Sequence, residues 1–124
     1  MKERGGLVID DETLVRATAR MMLENIGYEV LEAENGQKGV EIYRENICKI
    51  DLVLLDMLMP VMGGTQCFYQ LKEINPQVRV IISSGFTRDA DLTALKHAGL
   101  CDVVRKPYDL HEMSRAIGNS LNNY

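Results

Sequence analysis

The sequence predicts an α/β protein of one domain, residues 1–124, in which a doubly wound, five-stranded parallel sheet carries helices on both faces. Short β-type runs alternate with segments of helical periodicity along the whole chain, which is typical of βα units. The central run, Leu52 to Leu55, is apolar at every position, as in a strand that is buried on both faces. With 46% hydrophobic residues, a chain of this length can bury roughly two-thirds of its unfolded surface.

Five short runs are the predicted strands of this sheet. They are short enough for strands of an α/β domain, and segments of helical spacing separate them. The runs are Gly6 to Asp10, Tyr28 to Ala33, Asp51 to Asp56, Val78 to Ser83 and Asp102 to Arg105.

Apolar residues at helical spacing predict one helix after each strand. The first helix contains Leu14, Ala17, Met21 and Met22 and stops at Gly27; the second opens at Asn35 and contains Val40 and Tyr43. The third contains Cys67, Leu71 and Ile74 and ends before Pro76, the fourth contains Leu92 and Leu95 and ends near Gly99, and the fifth contains Leu110, Met113, Ile117 and Leu121.

Charge and composition argue against several classes of protein. A net charge of −4 without a basic run argues against direct nucleic-acid binding, which needs clustered Lys and Arg. The apolar runs fall short of the roughly 18 residues that cross a bilayer, and no signal peptide follows the N-terminal MKERGG, so we expect a cytoplasmic protein without membrane insertion. Cys48, Cys67 and Cys101 are widely spaced, which favours reduced thiols over zinc ligands or disulfides.

Polar residues stand at the ends of four predicted strands. Asp10 ends the first strand and Asp11 follows it, Asp56 ends the third, Ser84 follows the fourth and Lys106 follows the fifth. Singly, such residues usually cap a helix or face water. Because ligands of doubly wound sheets bind outside the carboxyl ends of the strands, we expect these five side chains to converge on one exposed rim.

Three carboxylates on one rim predict a bound cation. Unit charges about 5 Å apart at an effective dielectric near 20 repel by roughly 3 kcal/mol per pair. The predicted ligands are all oxygen atoms, with no His or Cys among them, and this donor set suits a hard ion such as Mg²⁺.

Four stretches together resemble the receiver domain of two-component response regulators. They are VIDDE at residues 8–12, LVLLDMLMPVMGG at 52–64, ISSG at 82–85 and KPY at 106–108. The likeness runs along essentially the whole chain. The sequence is particularly similar to the receiver domains of hybrid sensor histidine kinases. It implies a flavodoxin-like strand order, 2-1-3-4-5.

The resemblance also implies roles for the acidic residues. Asp56 would be the nucleophile and the phosphorylation site, because the family's acceptor aspartate ends the third strand. Asp11 and Asp56, with the backbone carbonyl of Leu58, would bind Mg²⁺, and Asp10 would help through a bound water.

By the same comparison, Ser84 would donate its hydroxyl to the phosphoryl group and Lys106 would pair with it. A cis Lys106–Pro107 bond would turn the chain and aim the amine inward, but the sequence leaves the isomer open. The protein would then be a signalling switch that catalyses only its own phosphorylation and slow dephosphorylation. A histidine kinase or histidine phosphotransfer protein would phosphorylate it. Its output would be a partner protein or domain, or homodimerisation through helix four, strand five and helix five.

Three positions depart from the family pattern. Val103, three residues before Lys106, replaces the common aromatic residue that rotates together with the Ser or Thr, so the output route differs from the usual one. Leu58 and Phe86 occupy positions that, in the family, influence how easily water reaches the acyl phosphate formed on the aspartate. Both are apolar here, so neither can orient a water. We therefore expect slow self-dephosphorylation.

Three other functions use related features of the sequence. A receiver-like interaction module that is never phosphorylated would not require Asp56, Ser84 and Lys106 together. A phosphatase with an aspartate nucleophile would need a second acid two residues later, where Leu58 stands. In a flavodoxin-like electron carrier, the acidic loop after the first strand would repel the cofactor phosphate.

Overall fold

A computed structural model describes residues 4–59, 61–85 and 89–122 as five βα units in chain order. The strands are β1 (Arg4–Ile9), β2 (Tyr28–Ala33), β3 (Leu52–Asp56), β4 (Val80–Ser84) and β5 (Asp102–Arg105). The helices are α1 (Thr13–Ile26), α2 (Gly36–Glu45), α3 (Gly64–Ile74), α4 (Asp89–His97) and α5 (Leu110–Asn122).

All neighbouring strands are parallel, and their order is β2-β1-β3-β4-β5, which confirms the predicted fold class and topology. The predicted strand bounds err by at most two residues. β4 begins at Val80 instead of Val78, because the Val78 N–H donates to the carbonyl of Asn75 in a turn (3.0 Å). β1 begins earlier than predicted because Arg4 already pairs with Tyr28.

Local signals set two of the helix boundaries as the sequence predicts. The Asn35 side chain accepts a hydrogen bond from the Lys38 N–H at the start of α2 (2.8 Å). Gly27 ends α1 with φ of 109°, in the left-handed region that glycine adopts without a steric penalty.

The apolar core has two layers, one on each face of the sheet. On one face, β1 and β3 residues pack against α2 and α3 through Tyr43, Phe68 and Leu71. On the other face, Leu23 of α1 and Met113 of α5 cover the sheet. Every residue of β3 is buried, as its unbroken apolar run predicts.

Within the described ranges Cys48, Cys67 and Cys101 form no disulfide, and no helix is both long and apolar enough to cross a membrane.

Candidate functional site

The carboxyl ends of the strands bring the predicted acidic residues together. Asp10 follows β1, and Asp56 ends β3 opposite Ser83 of β4. Asp10, Asp11 and Asp56 each offer a carboxylate oxygen, and these oxygens lie within 4.8 Å of one another. The parallel sheet therefore gathers the three carboxylates into one cluster.

Lys106 lies between two of these carboxylates. Its Nζ is 2.9 Å from Asp10 Oδ2 and 3.0 Å from Asp56 Oδ1. The Lys106–Pro107 peptide bond, whose isomer the sequence left open, is cis. Burial alone would lower the pKa of Lys106, but hydrogen bonds to Asp10 and Asp56 outweigh it and raise that pKa above the ordinary value. The amine is therefore charged and faces the carboxylates.

Asp56 has a carboxyl group that gives up its proton near neutral pH. Burial raises its pKa from 3.8 to about 6, and the charge of Asp10 adds to the rise. The Lys106 hydrogen bond and a backbone hydrogen bond from Leu58 limit the shift. At pH 7 the acid is mostly ionised, at a cost in stability.

The carboxylate cluster is less exposed than the sequence predicted, since the prediction was an exposed rim. Asp10 and Asp56 are only 1% and 4% exposed, and Asp11 alone of the three carboxylates is exposed. The reason is that Lys106 supplies a cation from within the protein. Part of the charge neutralisation that the sequence argument assigned to a metal therefore comes from the chain itself.

Of the remaining predicted site residues, Ser84, Leu58 and Val103 lie outside the carboxylate cluster itself. Ser84 is buried at the end of β4, and its carbonyl accepts a hydrogen bond from the Lys106 backbone N–H (3.1 Å). The Leu58 side chain is 71% exposed beside the cluster, and Val103 is half-buried on β5 against the core. Phe86 lies outside the described residues.

Asp10 is held by more partners than the sequence suggested. Its N–H donates to the Ala33 carbonyl (3.1 Å), and its Oδ1 accepts from the Glu12 N–H (2.9 Å). Its carbonyl accepts from Nη1 of Arg16 (2.8 Å). Sequence reasoning missed Arg16, although its position one helical turn after Glu12 places it on the side of α1 that faces this loop.

The donor atoms of the cluster fit a hard divalent cation. Three carboxylates within 4.8 Å of one another form an all-oxygen set without a nitrogen or sulfur ligand. Asp11, the exposed member, is open to a hydrated ion, and Mg²⁺ usually keeps several of its waters in proteins. The residues present are therefore suited to Mg²⁺.

Gly64 sets the close packing of the loop that follows Asp56. A Cβ at this position would lie 2.7 Å from the Asp56 carbonyl oxygen and 2.7 Å from Met57 Cα. Because both atoms belong to the backbone, we expect Gly64→Ala to lower the free energy of unfolding by about 2 kcal/mol in urea denaturation.

Gly118 of α5 is the control for Gly64, because a Cβ there would meet nothing within 4 Å. Gly118→Ala should stabilise the protein by about 0.5–1 kcal/mol through the higher helix propensity of alanine. Equal effects of the two substitutions would contradict the tight approach at Gly64.

Comparisons with known proteins agree with this geometry. The family profile of the response regulator receiver domain matches residues 7–118. Chemotaxis protein CheY of Bacillus subtilis is 34% identical over 117 residues, which cover 94% of this chain and 96% of CheY. A crystal structure of a receiver domain protein from Clostridium thermocellum superposes with a TM-score of 0.87 at 36% identity, covering 98% of this chain and 96% of that one.

A larger protein also contains a similar segment. The autoinducer 1 sensor kinase/phosphatase LuxN of Vibrio campbellii is 33% identical over 116 residues. These residues cover 94% of this chain but 13% of LuxN, so the likeness concerns one segment of that kinase.

Proposed function

This chain belongs to the response regulator receiver domain family, and we propose that Asp56 accepts a phosphoryl group from a histidine kinase or histidine phosphotransfer protein. The whole chain, residues 1–124, would then act as one phospho-acceptor signalling switch. The observation that carries this proposal is the contact of Lys106 with both Asp10 and Asp56. Two buried carboxylates around one amine cost stability, and a module that only bound partners would have no use for them.

The chemistry needs little beyond positioning and charge neutralisation. An ionised Asp56 oxygen attacks phosphorus, and the bond from phosphorus to the donor nitrogen breaks with its electron pair going to the donor imidazole. Lys106, 3.0 Å from Asp56 Oδ1, is placed to donate to an oxygen of the transferred group. Mg²⁺ held by Asp11, Asp56 and the Leu58 carbonyl, with Asp10 close by, would offset the negative charge of the phosphoryl group.

Phosphorylation adds about −1.5 to −2 charges at Asp56, and the neighbouring groups must respond to them. Ser84 can turn its hydroxyl toward the new oxygens and bond one of them. Because the Ser84 carbonyl is bonded to the Lys106 N–H, a shift of either residue is passed to the other. The ends of β4 and β5 would thus move together and change the surface of α4, β5 and α5.

The direct test is incubation with acetyl phosphate and Mg²⁺ followed by intact mass measurement. We expect one phosphate adduct on the wild type and none on Asp56→Asn. Asp51→Asn is the control, since it makes the same change in an exposed residue just before β3 and should keep the adduct. A folded wild type that gains no adduct would favour the receiver-like interaction module instead.

The lifetime of the phosphorylated form should depend on Leu58. Its exposed, apolar side chain offers no group that could orient a water toward the acyl phosphate. We expect Leu58→Asn to shorten the lifetime several-fold, as followed by loss of the mass adduct after acetyl phosphate is removed.

Leu58→Ala tests whether the lifetime depends on the polarity of this side chain or only on its size. It opens the same region without adding a hydrogen-bonding group, so its lifetime should stay near that of the wild type. If Leu58→Asn and the wild type lose phosphate at equal rates, the apolar side chain is not what protects the adduct.

The wider biology of the chain is part of the same proposal. The chain spans 13% of the sensor kinase LuxN but 96% of CheY, and both a stand-alone regulator and a receiver within a larger kinase fit these relatives. A cytoplasmic location and homodimerisation through α4, β5 and α5 stay predictions. Val103 is half-buried and carries no aromatic ring, so the signal would leave through backbone movement of β5.

A further inference from the structure

We propose that Arg16 is a positioning residue for the metal-binding loop, residues 10–12, and holds the backbone that aims the Asp11 carboxylate. The inference rests on the proposed function, because it concerns how the chain prepares its site for Mg²⁺. Arg16 touches neither the metal ligands' carboxylates nor the phosphoryl acceptor, and it acts through the main chain of Asp10.

Arg16 joins the metal-binding loop to the neighbouring strand with two hydrogen bonds. Its Nη1 donates to the Asp10 carbonyl at 2.8 Å, and its Nε donates to Glu32 Oε1 on β2 at 3.0 Å. The Arg16 and Glu32 side chains are 15% and 27% exposed, so both bonds are partly shielded from water. The planar guanidinium fixes the angle between the two contacts, which a flexible amine could not do.

The two peptide groups on either side of Asp11 are both held. The carbonyl of the preceding peptide accepts from Arg16, and the N–H of the following peptide donates to Asp10 Oδ1. Within the described residues, no hydrogen bond fixes the Asp11 carboxylate itself. The direction of this exposed ligand therefore depends on the backbone that Arg16 and Asp10 restrain.

Arg16 is in turn oriented by a second ion pair. Glu32 Oε2 accepts from Nη1 of Arg20 at 2.6 Å, and Arg20 also pairs with Glu24 at 3.3 Å. These arginine contacts, the Arg20 hydrogen bond first, lower the pKa of Glu32, which stays ionised as an anchor. Arg20 has the same charge and contacts the same carboxylate as Arg16, but it makes no bond to the loop.

The experiment compares Arg16→Gln with Arg20→Gln by titrating each protein with Mg²⁺ and following backbone amide shifts by NMR. Each substitution removes one positive charge from the same ion-pair cluster. By charge alone, losing a cation near the site should tighten Mg²⁺ binding. We expect the opposite for Arg16→Gln, a loss of about tenfold in affinity, and a change of less than about twofold for Arg20→Gln.

If Arg16 only stabilised the fold, its replacement would lower the free energy of unfolding without a specific loss of Mg²⁺ affinity. Urea unfolding of Arg16→Gln and Arg20→Gln measures how much stability each variant loses. Arg16→Lys keeps the charge but gives up one of the two hydrogen bonds, so it should bind Mg²⁺ with intermediate affinity. The inference is overturned if Arg16→Gln binds Mg²⁺ as tightly as Arg20→Gln, or more tightly. A wild type that shows no Mg²⁺-dependent shifts would overturn the metal assignment itself and the inference with it, and this result is distinct from equal binding by both variants.

Discussion

Replacing Asp56 by asparagine is expected to raise the free energy of unfolding by about 3 kcal/mol at pH 8 without Mg²⁺. The folded protein raises the pKa of this acid from 3.8 to about 6, mainly because the carboxyl is buried. Above that pH the native state must hold a charge that the unfolded chain accommodates more easily. Asparagine keeps the shape of the side chain and removes the charge.

The pH dependence of this gain has a defined sign. A raised carboxyl pKa means that the native state binds its proton more tightly than the unfolded chain does. The wild type therefore keeps this stability at pH values below 3.8 and loses it as the pH rises through about 6. The advantage of Asp56→Asn should accordingly fade toward pH 4.

Urea denaturation across this pH range, in the presence of a chelator, measures the effect. Asp51→Asn, at an exposed carboxylate just before the same strand, reports the loss of an acid outside the buried cluster. An Asp56→Asn protein that is less stable than the wild type at pH 8 would contradict the burial cost, as would a gain that grows toward acid pH.

The second large effect is expected for Lys106→Met, which should lower the free energy of unfolding by about 3 kcal/mol at pH 8. The wild-type amine lies 2.9 Å from Asp10 and 3.0 Å from Asp56, and both acids are almost fully buried. Methionine fills similar space but leaves two carboxylates near each other without a cation.

Two comparisons isolate the electrostatic part of this loss. Lys72→Met removes another half-buried lysine whose Nζ contacts backbone carbonyls instead of acids, so it should cost less. In an Asp56→Asn background, Lys106→Met should also cost less than in the wild type, because one of the two acids is already neutral. Equal costs in both backgrounds would show that packing, not charge, explains the effect.

Asp56 and Lys106 are expected to have opposite effects on the free energy of unfolding. We expect Asp56 to lower stability and Lys106 to restore part of it, and a phosphoryl group on Asp56 would compete for the Lys106 amine. Buried charges of this kind are common where function has set the residues instead of stability.

The fold could be predicted because its signals are local and periodic. The apolar run Leu52 to Leu55, together with the alternation of short strand-like runs and helical patterns, indicated a strand in the middle of a parallel sheet. Asn35 and Gly27 marked helix ends through their own backbone chemistry. The start of β4 differed because Val78 bonds within a turn, and the start of β1 differed because Arg4 already pairs with Tyr28.

The sequence predicted which residues form the site, but not how deeply they are buried. Parallel strands end at a common edge, so the positions of Asp10 and Asp56 in the sequence predicted their meeting. That both would be buried depends on how Lys106 is aimed, which is a tertiary property. The helical spacing from Glu12 indicates which side of α1 Arg16 occupies, but it does not indicate that the guanidinium bonds the main-chain carbonyl of Asp10, so Arg16 was missed.

The strand order has a mechanical consequence for signalling. β3, which carries Asp56, is hydrogen-bonded to β1 on one side and to β4 on the other, whereas the four-residue β5 has a single neighbour. On the β1 side, Asp56 is backed by two six-residue strands that pair along their whole length, whereas beyond β4 the sheet adds only the four residues of β5. When Asp56 gains a group, we therefore expect β4 and β5 to shift more readily than β1 and β2.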